Sequence, residues 1–490
     1  MTNLLVSRNQ VLDLVKAADL DVLVIGGGIV GSGIARDAAL RGVRTLLVEQ
    51  SDFASGTSSR SSRLLHGGLR YLAQGRIGLV REASVEKMRL SRNAPHLCQA
   101  LPFVFPVWRD TDWPRWQLSI GVHIYDLLCG GNNLGSSSTH GTAAVLKRVP
   151  GLLEQGLSGA VRCFDALTND ARLVIDTLRS AREAGASVLN YALFVSASRS
   201  GDRWTCSVRD QIQGNMLEVR PRVVVNAAGA WASRIPQSSV RLRLTKGVHL
   251  VIDRQRLPVS EAIVLPEGKR ILFVIPWGER VILGTTDTDY DGDPAAVRTA
   301  AEDISYILGV VNARFPEARL TAGDLIAHWA GVRPLIAPRV DSAGTPSDIS
   351  RSHRIRMSVP GWFEVAGGKL TTYRLMAEQT VDKLGAFLNA HLAPSRTARL
   401  PLGGGPYSGV LPPAIDQEVV AECCRNEWAV HLEDVLLRRT SWHFYHRNKM
   451  ETAERVAGWM AAELGWSPAR VSAELEKYSE EVLQSRAANA

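Results

Sequence analysis

Residues 21–49 read DVLVIGGGIVGSGIARDAALRGVRTLLVE. Asp21–Ile25 is a short apolar run that ends on glycine, the mark of a buried parallel strand. Ile34–Arg41 follows at helical spacing, and Thr45–Glu49 is a second buried run, so the segment predicts one βαβ unit. Between them glycines 26, 28 and 31 fit GxGxxG. Gly26 permits the tight turn, Gly28 lets backbone approach a pyrophosphate, and Gly31 lets helix and strand pack closely. The helix N-terminus then offers free N–H groups and a positive dipole end to the anion. Glu49, 18 residues beyond Gly31, ends the second strand where a carboxylate can accept hydrogen bonds from an adenosine ribose. The strand–turn–helix context predicts a dinucleotide site; the motif alone does not separate NAD from FAD.

Around this unit lie 490 residues, more than one hydrophobic core holds. With 45% apolar and 22% charged residues, disorder, collagen and coiled coil are excluded. No run of 18 apolar residues spans a bilayer. The first 20 residues mix charges into their apolar positions and lack a signal-peptide core, so a protein that is not exported is expected. The six cysteines form no CxxC pair, which reads as reduced thiols, and no metal site is expected. The formal charge of +8 is uneven. Residues 401–490 carry 9 basic and 13 acidic side chains, so residues 1–400 carry +12. A basic body suits an anionic cofactor, an anionic substrate or an acidic membrane surface. No nucleic-acid motif accompanies the charge.

Residues 1–19 look like a short amphipathic leader, and residues 51–63 (SDFASGTSSRSSR) like a loop. Helices are expected at Ile77–Ser91, Ala171–Ala184, 300–315 and Lys369–Leu384. Buried strands are expected at Ser187–Leu189, Pro221–Asn226 and Gly361–Ala366, with a β-rich stretch from Leu242 to Thr286. Residues 101–128, with Pro102, Pro106 and Pro114 among Trp108, Trp113 and Trp116, read as irregular. With Arg109 and Arg115 this cluster suits either an interfacial anchor or an aromatic core. Pro401–Pro413 reads as a linker and 415–490 as helices.

Five further strings settle the cofactor. They are Thr57–Tyr71 (TSSRSSRLLHGGLRY), Lys246–His249 (KGVH), Ile282–Asp287 (ILGTTD), Gly331–Leu335 (GVRPL) and Gly367–Arg374 (GGKLTTYR). Together, in this order, they closely resemble the signature of FAD-dependent, quinone-linked glycerol-3-phosphate dehydrogenases, within the D-amino-acid-oxidase-like flavoproteins. The resemblance covers about residues 20–395. It implies an α/β fold: a discontinuous Rossmann-like FAD-binding domain over 20–95, 160–240 and 355–395, and a mostly antiparallel β cap domain over 96–159 and 241–354. A C-terminal α-helical domain over 400–490 would follow. There the chain is shorter than is usual in the family and matches only around Glu427–Thr440. Arg63 stands where the family often has lysine.

The resemblance implies oxidation of sn-glycerol 3-phosphate to dihydroxyacetone phosphate, by hydride transfer from C2 to flavin N5, with electrons passed to a quinone. It also implies peripheral attachment to the cytoplasmic face of the membrane and leaves a homodimer open. The other readings are a flavin oxidase that uses oxygen, on the same or another small hydroxy or amino acid, and a noncatalytic flavin- or phosphate-binding module. By the match, Arg333 is expected to bind the substrate phosphate, with Arg351, Arg70, Tyr71 and Thr285 as further substrate contacts. Arginine suits that task because its fork is planar and always charged. His249 is the candidate base, since neutral imidazole accepts a proton near pH 7; Lys369 is its rival. The cofactor is expected to lie on Gly26, Gly28, Gly31 and Glu49; on Thr57, Ser58, Ser59 and Ser61; on His66, Gly67 and Gly68; on Ala228 and Gly229; and on Gly368, Lys369, Leu370 and Thr371. The turn before the 369–384 helix is expected to face the flavin pyrimidine edge, where the helix dipole favours negative charge.

Overall fold

A computed structural model describes residues 8–17, 19–72, 74–111, 113–130, 133–268, 270–337 and 352–487. Its first layer is a six-stranded sheet. The order is His353–Val359, Trp362–Gly367, Val223–Asn226, Val22–Ile25, Thr45–Val48 and Ser187–Leu189. All neighbours run parallel except the first pair. The strand Val22–Ile25 is central, with Val24 opposite both Val225 and Leu47. Its residues alternate between two cores. Val22 and Val24 pack with Ile34, Val174 and Met376, from the helices Ile29–Leu40, Asp170–Glu183 and Tyr373–Leu388. Leu23 and Ile25 pack on the other face with Phe194, Trp204 and Trp362. Burial on both faces explains why the run is apolar throughout rather than alternating.

That second face is covered by a three-stranded antiparallel sheet, Ala192–Ser200, Arg203–Asp210 and Met216–Val219, and by the leader helix Arg8–Ala17 through Leu12 and Val15. The sequence reading left 192–219 without structure. The later two strands, RWTCSVRD and MLEV, alternate apolar and polar residues without a continuous apolar run, and the first, ALFVSASRS, is apolar only over its first four residues.

The cap is a ten-stranded sheet, antiparallel except where Ala262–Glu267 meets Gln99–Trp108. Residues 101–128 are therefore not irregular: Gln99–Trp108 is a strand and Arg115–Leu128 a helix. Pro102 and Pro106 lie four apart, so both missing N–H groups fall on the same side of the strand. The long pair Leu242–Asp253 and Leu325–Ile336 sets Thr245 opposite Arg333 and His249 opposite Trp329. The C-terminal helices, among them Gln417–Asn426, Lys449–Leu464 and Pro468–Ala487, close over a core of their own.

Candidate active site

One long cleft runs from the end of the six-stranded sheet to the cap, about 1930 Å³ with its open mouth included. Its lining runs from the glycine turn at Gly26 and Gly28 to Arg333 on the cap. At the sheet end the glycine turn has the geometry its spacing predicts. Gly26 has φ +112°, and a Cβ there would lie 2.6 Å from Ala227 O. A Cβ on Gly31 would lie 1.9 Å from Gly26 O, while one on Gly28 would meet only Ser58 Oγ, at 3.1 Å. Gly31 therefore packs behind the wall, and Gly26 and Gly28 line the cleft. The Gly27 N–H donates to Glu49 Oε2 at 2.7 Å and the Ser51 N–H to Oε1 at 2.9 Å. Burial raises the Glu49 carboxyl against the pull of these two amides.

The loop after the second strand crosses from this turn to the cap. Ser58 Oγ accepts from the Ile29 N–H at 3.0 Å, a free donor of the helix start, and Thr57 Oγ1 donates to Val332 O at 2.7 Å. Ser61 donates to Asp170 Oδ2 at 2.6 Å. Thr57, Ser58, Ser61 and His66 line the cleft, whereas Ser59 is buried beside it. Gly67 and Gly68 lie one layer back. The Gly67 N–H donates to Tyr125 Oη at 2.7 Å, and a Cβ on Gly68 would lie 2.6 Å from the Tyr71 ring and 3.1 Å from Lys369 Nζ. Ala228, Gly229, Gly368, Lys369 and Leu370 line the cleft as well. Thr371 sits behind, exchanging hydrogen bonds with the His66 backbone. Gly367 and Gly368 both have positive φ, and a 3₁₀ turn, Leu370–Thr372, intervenes before the helix begins at Tyr373.

Three residues far apart in sequence share the cleft. Arg333, His249 and Lys369 all line the cleft. Arg333 is braced by Thr285 Oγ1 at 3.0 Å, Thr286 O at 3.2 Å and Asp287 Oδ1 at 3.2 Å. Thr285 thus touches the arginine, and the ion pair with Asp287 aims it. Gly247 makes room: a Cβ there would lie 2.4 Å from Arg333 Nη2. His249 is buried and stacked on Trp329, with centroids 5.2 Å apart. Its Nε2 is 2.8 Å from Ser62 Oγ. Burial, then Arg333 and Arg63, hold its pKa well below the ordinary 6.5. Lys369 Nζ lies over the Tyr71 ring at 4.1 Å. Arg351 lies outside the described residues, as does the Arg70 side chain.

Ser62, Trp329 and the Tyr125–Asp165 pair behind Gly67 were not singled out by sequence. Ser62 falls inside the quoted Thr57–Tyr71 string, but no local pattern tells its neighbour His249. Trp329 is found only through the strand register. Of the tryptophan cluster, Trp108 is buried in the cap, whereas Trp113 and Trp116 are exposed.

Comparisons with known proteins agree with this geometry. Residues 21–382 match the model of the FAD dependent oxidoreductase family, and 405–471 match the C-terminal domain of alpha-glycerophosphate oxidase. Glycerol-3-phosphate dehydrogenase 2 of Mycobacterium bovis is 38% identical over 94% of this chain and 87% of its own length. The aerobic glycerol-3-phosphate dehydrogenase of Staphylococcus haemolyticus is 36% identical over 82% of this chain and 74% of its own. The solved structure of the Bacillus halodurans glycerol-3-phosphate dehydrogenase, complexed with FAD, superposes with a TM-score of 0.79. It covers 98% of this chain and 97% of that one at 28% identity.

Proposed function

The chain belongs to the FAD-dependent glycerol-3-phosphate dehydrogenase family, and from that premise we propose that it oxidises sn-glycerol 3-phosphate to dihydroxyacetone phosphate and passes the electrons to a quinone. The observation that carries the reading is that Arg333, His249 and Lys369 line the same cleft as the glycine turn at Gly26 and Gly28. FAD, when bound, supplies the hydride acceptor. Gly26 and Gly28 would hold its pyrophosphate at the start of the Ile29–Leu40 helix, Glu49 its ribose, and Gly368–Leu370 the ring. Arg333, fixed from behind by Asp287 and Thr285, binds the substrate phosphate. His249, neutral because it is buried beside two guanidiniums, takes the proton of the C2 hydroxyl. The deciding test is anaerobic titration of the purified protein with glycerol 3-phosphate. Loss of the flavin absorbance is expected, and a spectrum unmoved by saturating substrate would leave only a flavin-binding module. Reduction of a quinone analogue with little hydrogen peroxide is expected in air; stoichiometric peroxide would assign oxygen as the acceptor.

The His249→Asn variant is expected to keep its FAD and to slow flavin reduction by about 10²–10⁴-fold, the usual worth of a general base. Stopped-flow bleaching at the normal rate would transfer the role to Lys369. Because the base must be unprotonated and its pKa is lowered, the acid limb of kcat/KM is expected below the ordinary histidine value of 6.5. At the other end of the cleft, Gly31→Ala drives a methyl into Gly26 O. The variant is expected to purify colourless or not at all. A normal ratio of flavin to protein absorbance would show that the turn relaxes.

Membrane attachment has its own support. No helix of the described residues is long and apolar enough to cross a membrane. On the helix Arg115–Leu128, Trp116, Ile120, Ile124 and Leu127 form an exposed stripe, Leu127 at 72%, with Trp113 beside it. Tryptophan and aliphatic residues on one face of a surface helix suit the headgroup boundary, and we read this face as the site of peripheral attachment on the cytoplasmic side. Trp116→Glu is expected to reduce co-sedimentation with phosphatidylglycerol vesicles several-fold while leaving flavin reduction unchanged. Undiminished sedimentation would remove this helix from the membrane face.

A further inference from the structure

Arg63 is the largest buried cation close to the active centre that the chemistry above does not use. It is 1% exposed. Its Nη2 donates to Ser441 Oγ at 3.1 Å, but Nε and Nη1 have no hydrogen-bond partner, and the nearest carboxylate, Asp170, stands 4.0 Å from Nε. The guanidinium lies instead in an aromatic box. Trp277 is 4.4 Å from it, Trp329 5.5 Å and Phe444 5.8 Å, centroid distances within reach of cation–π attraction. Ser441 and Phe444 belong to the C-terminal domain. The residue also has φ +56°, a conformation that a side chain with a Cβ adopts rarely and that its surroundings must impose.

What this box touches is His249. Ser62, the residue before Arg63, has its hydroxyl 2.8 Å from His249 Nε2, and no other hydrogen bond fixes that ring, since Nδ1 has none. Trp329, a wall of the box, stacks on His249 with its plane 20° away. The same indole donates to Ser61 O at 3.2 Å and rests edge-on against Phe444. Both the hydrogen-bond partner of the imidazole and the surface it lies on are therefore tied to one buried charge.

We propose that Arg63 is a positioning residue for the reaction: anchored in a box that the C-terminal domain completes, it holds Ser62 against the His249 ring. The proposal rests on the reading of His249 as the base. A buried guanidinium with two unpaired donors is a costly way to fill a core, and its place beside Ser62 gives that cost a use. It also gives the C-terminal helices a part in catalysis without their entering the cleft. Lysine would keep the cation–π attraction, as a point charge without the fork.

The test is rapid-mixing flavin reduction by glycerol 3-phosphate in the holoenzyme. Arg63→Met and Ser62→Ala are each expected to lower the limiting rate by roughly tenfold or more through misplacement of the ring, with FAD content and the half-saturating substrate concentration unchanged. Arg63→Lys is expected to recover most of the rate. Neither change is expected to slow a His249→Asn enzyme further. Reduction at the normal rate by Arg63→Met or Ser62→Ala, lysine no better than methionine, or losses that add to that of His249→Asn would each overturn the proposal. If Arg63→Met does not fold, Ser62→Ala, which leaves the box intact, decides alone. Normal reduction by His249→Asn itself would instead remove the base reading, a distinct outcome.

Discussion

Replacing Arg333 by alanine is expected to lower kcat/KM for glycerol 3-phosphate by about 10²–10⁴-fold, since each hydrogen bond to a charged group is worth about 1.5–3 kcal/mol and two are lost. The loss is expected in both parameters. KM rises because the phosphate loses its partner, and kcat falls because a substrate no longer clamped at that end swings C2 out of line. Arg333→Lys is expected to recover KM in part and kcat little, because a point charge does not reproduce the fork. The brace can be tested separately. Asp287 and Thr285 hold the guanidinium at 3.2 and 3.0 Å, so Asp287→Asn should weaken substrate binding less than removing the arginine does. The same cation depresses the proton affinity of His249. Its removal is therefore expected to shift the acid limb of kcat/KM upward in pH. Steady-state parameters equal to those of the unmodified enzyme would take Arg333 out of the site.

How far the site could be read in advance depended on how local its logic is. The glycine turn, Glu49 and the helix behind them interact within 30 residues, and their spacing alone specifies the geometry. The serine-rich loop looked flexible because serines and arginines have no apolar periodicity. It is held by bonds whose partners lie far away, Thr57 to Val332 and Ser61 to Asp170. His249 could be named but not its setting, because Trp329 and Gly284 meet it only through the register of two other strands. The tail shows the same limit. After residue 400 the sequence strings resemble the family only around Glu427–Thr440, whereas the domain match extends over 405–471. Glu427, Asp434, Arg438 and Arg439 from that stretch make ion pairs, and those of Glu427, Arg438 and Arg439 reach into the first domain. A sequence pattern can mark such charges, but it cannot say what they pair with.

That network carries the second large effect. Arg439, fully buried, donates from Nη2 to Asp52 Oδ1 at 2.8 Å and to Glu427 O at 2.7 Å, and Arg438 joins Asp52 to Asp434. Arg439→Met leaves Asp52 buried with one cation fewer, and breaking a buried pair typically costs about 3–5 kcal/mol. Chemical denaturation should show this loss, while Arg425→Ala, at the exposed bridge to Glu463, should leave the midpoint unchanged. Asp52 lies three residues past Glu49, and two residues further on the Ala54 N–H donates to Gly27 O at 3.1 Å. FAD is therefore expected to leave the Arg439→Met protein at lower denaturant than it leaves the unmodified one. Acid should act on the same contact. Burial pushes the Glu427 carboxyl up, but Arg172, bidentate at 2.6 and 2.7 Å, outweighs it, and with Arg439 and Arg179 pulls the pKa down to about 2 from 4.5. A carboxyl lowered on folding stabilises fully above 4.5, and that stability drains as pH falls from 4.5 toward 2. Arg172→Met should remove most of this dependence as well as stability at neutral pH. A variant whose acid titration of stability parallels that of the unmodified protein would show that Glu427 does not hold the two domains together.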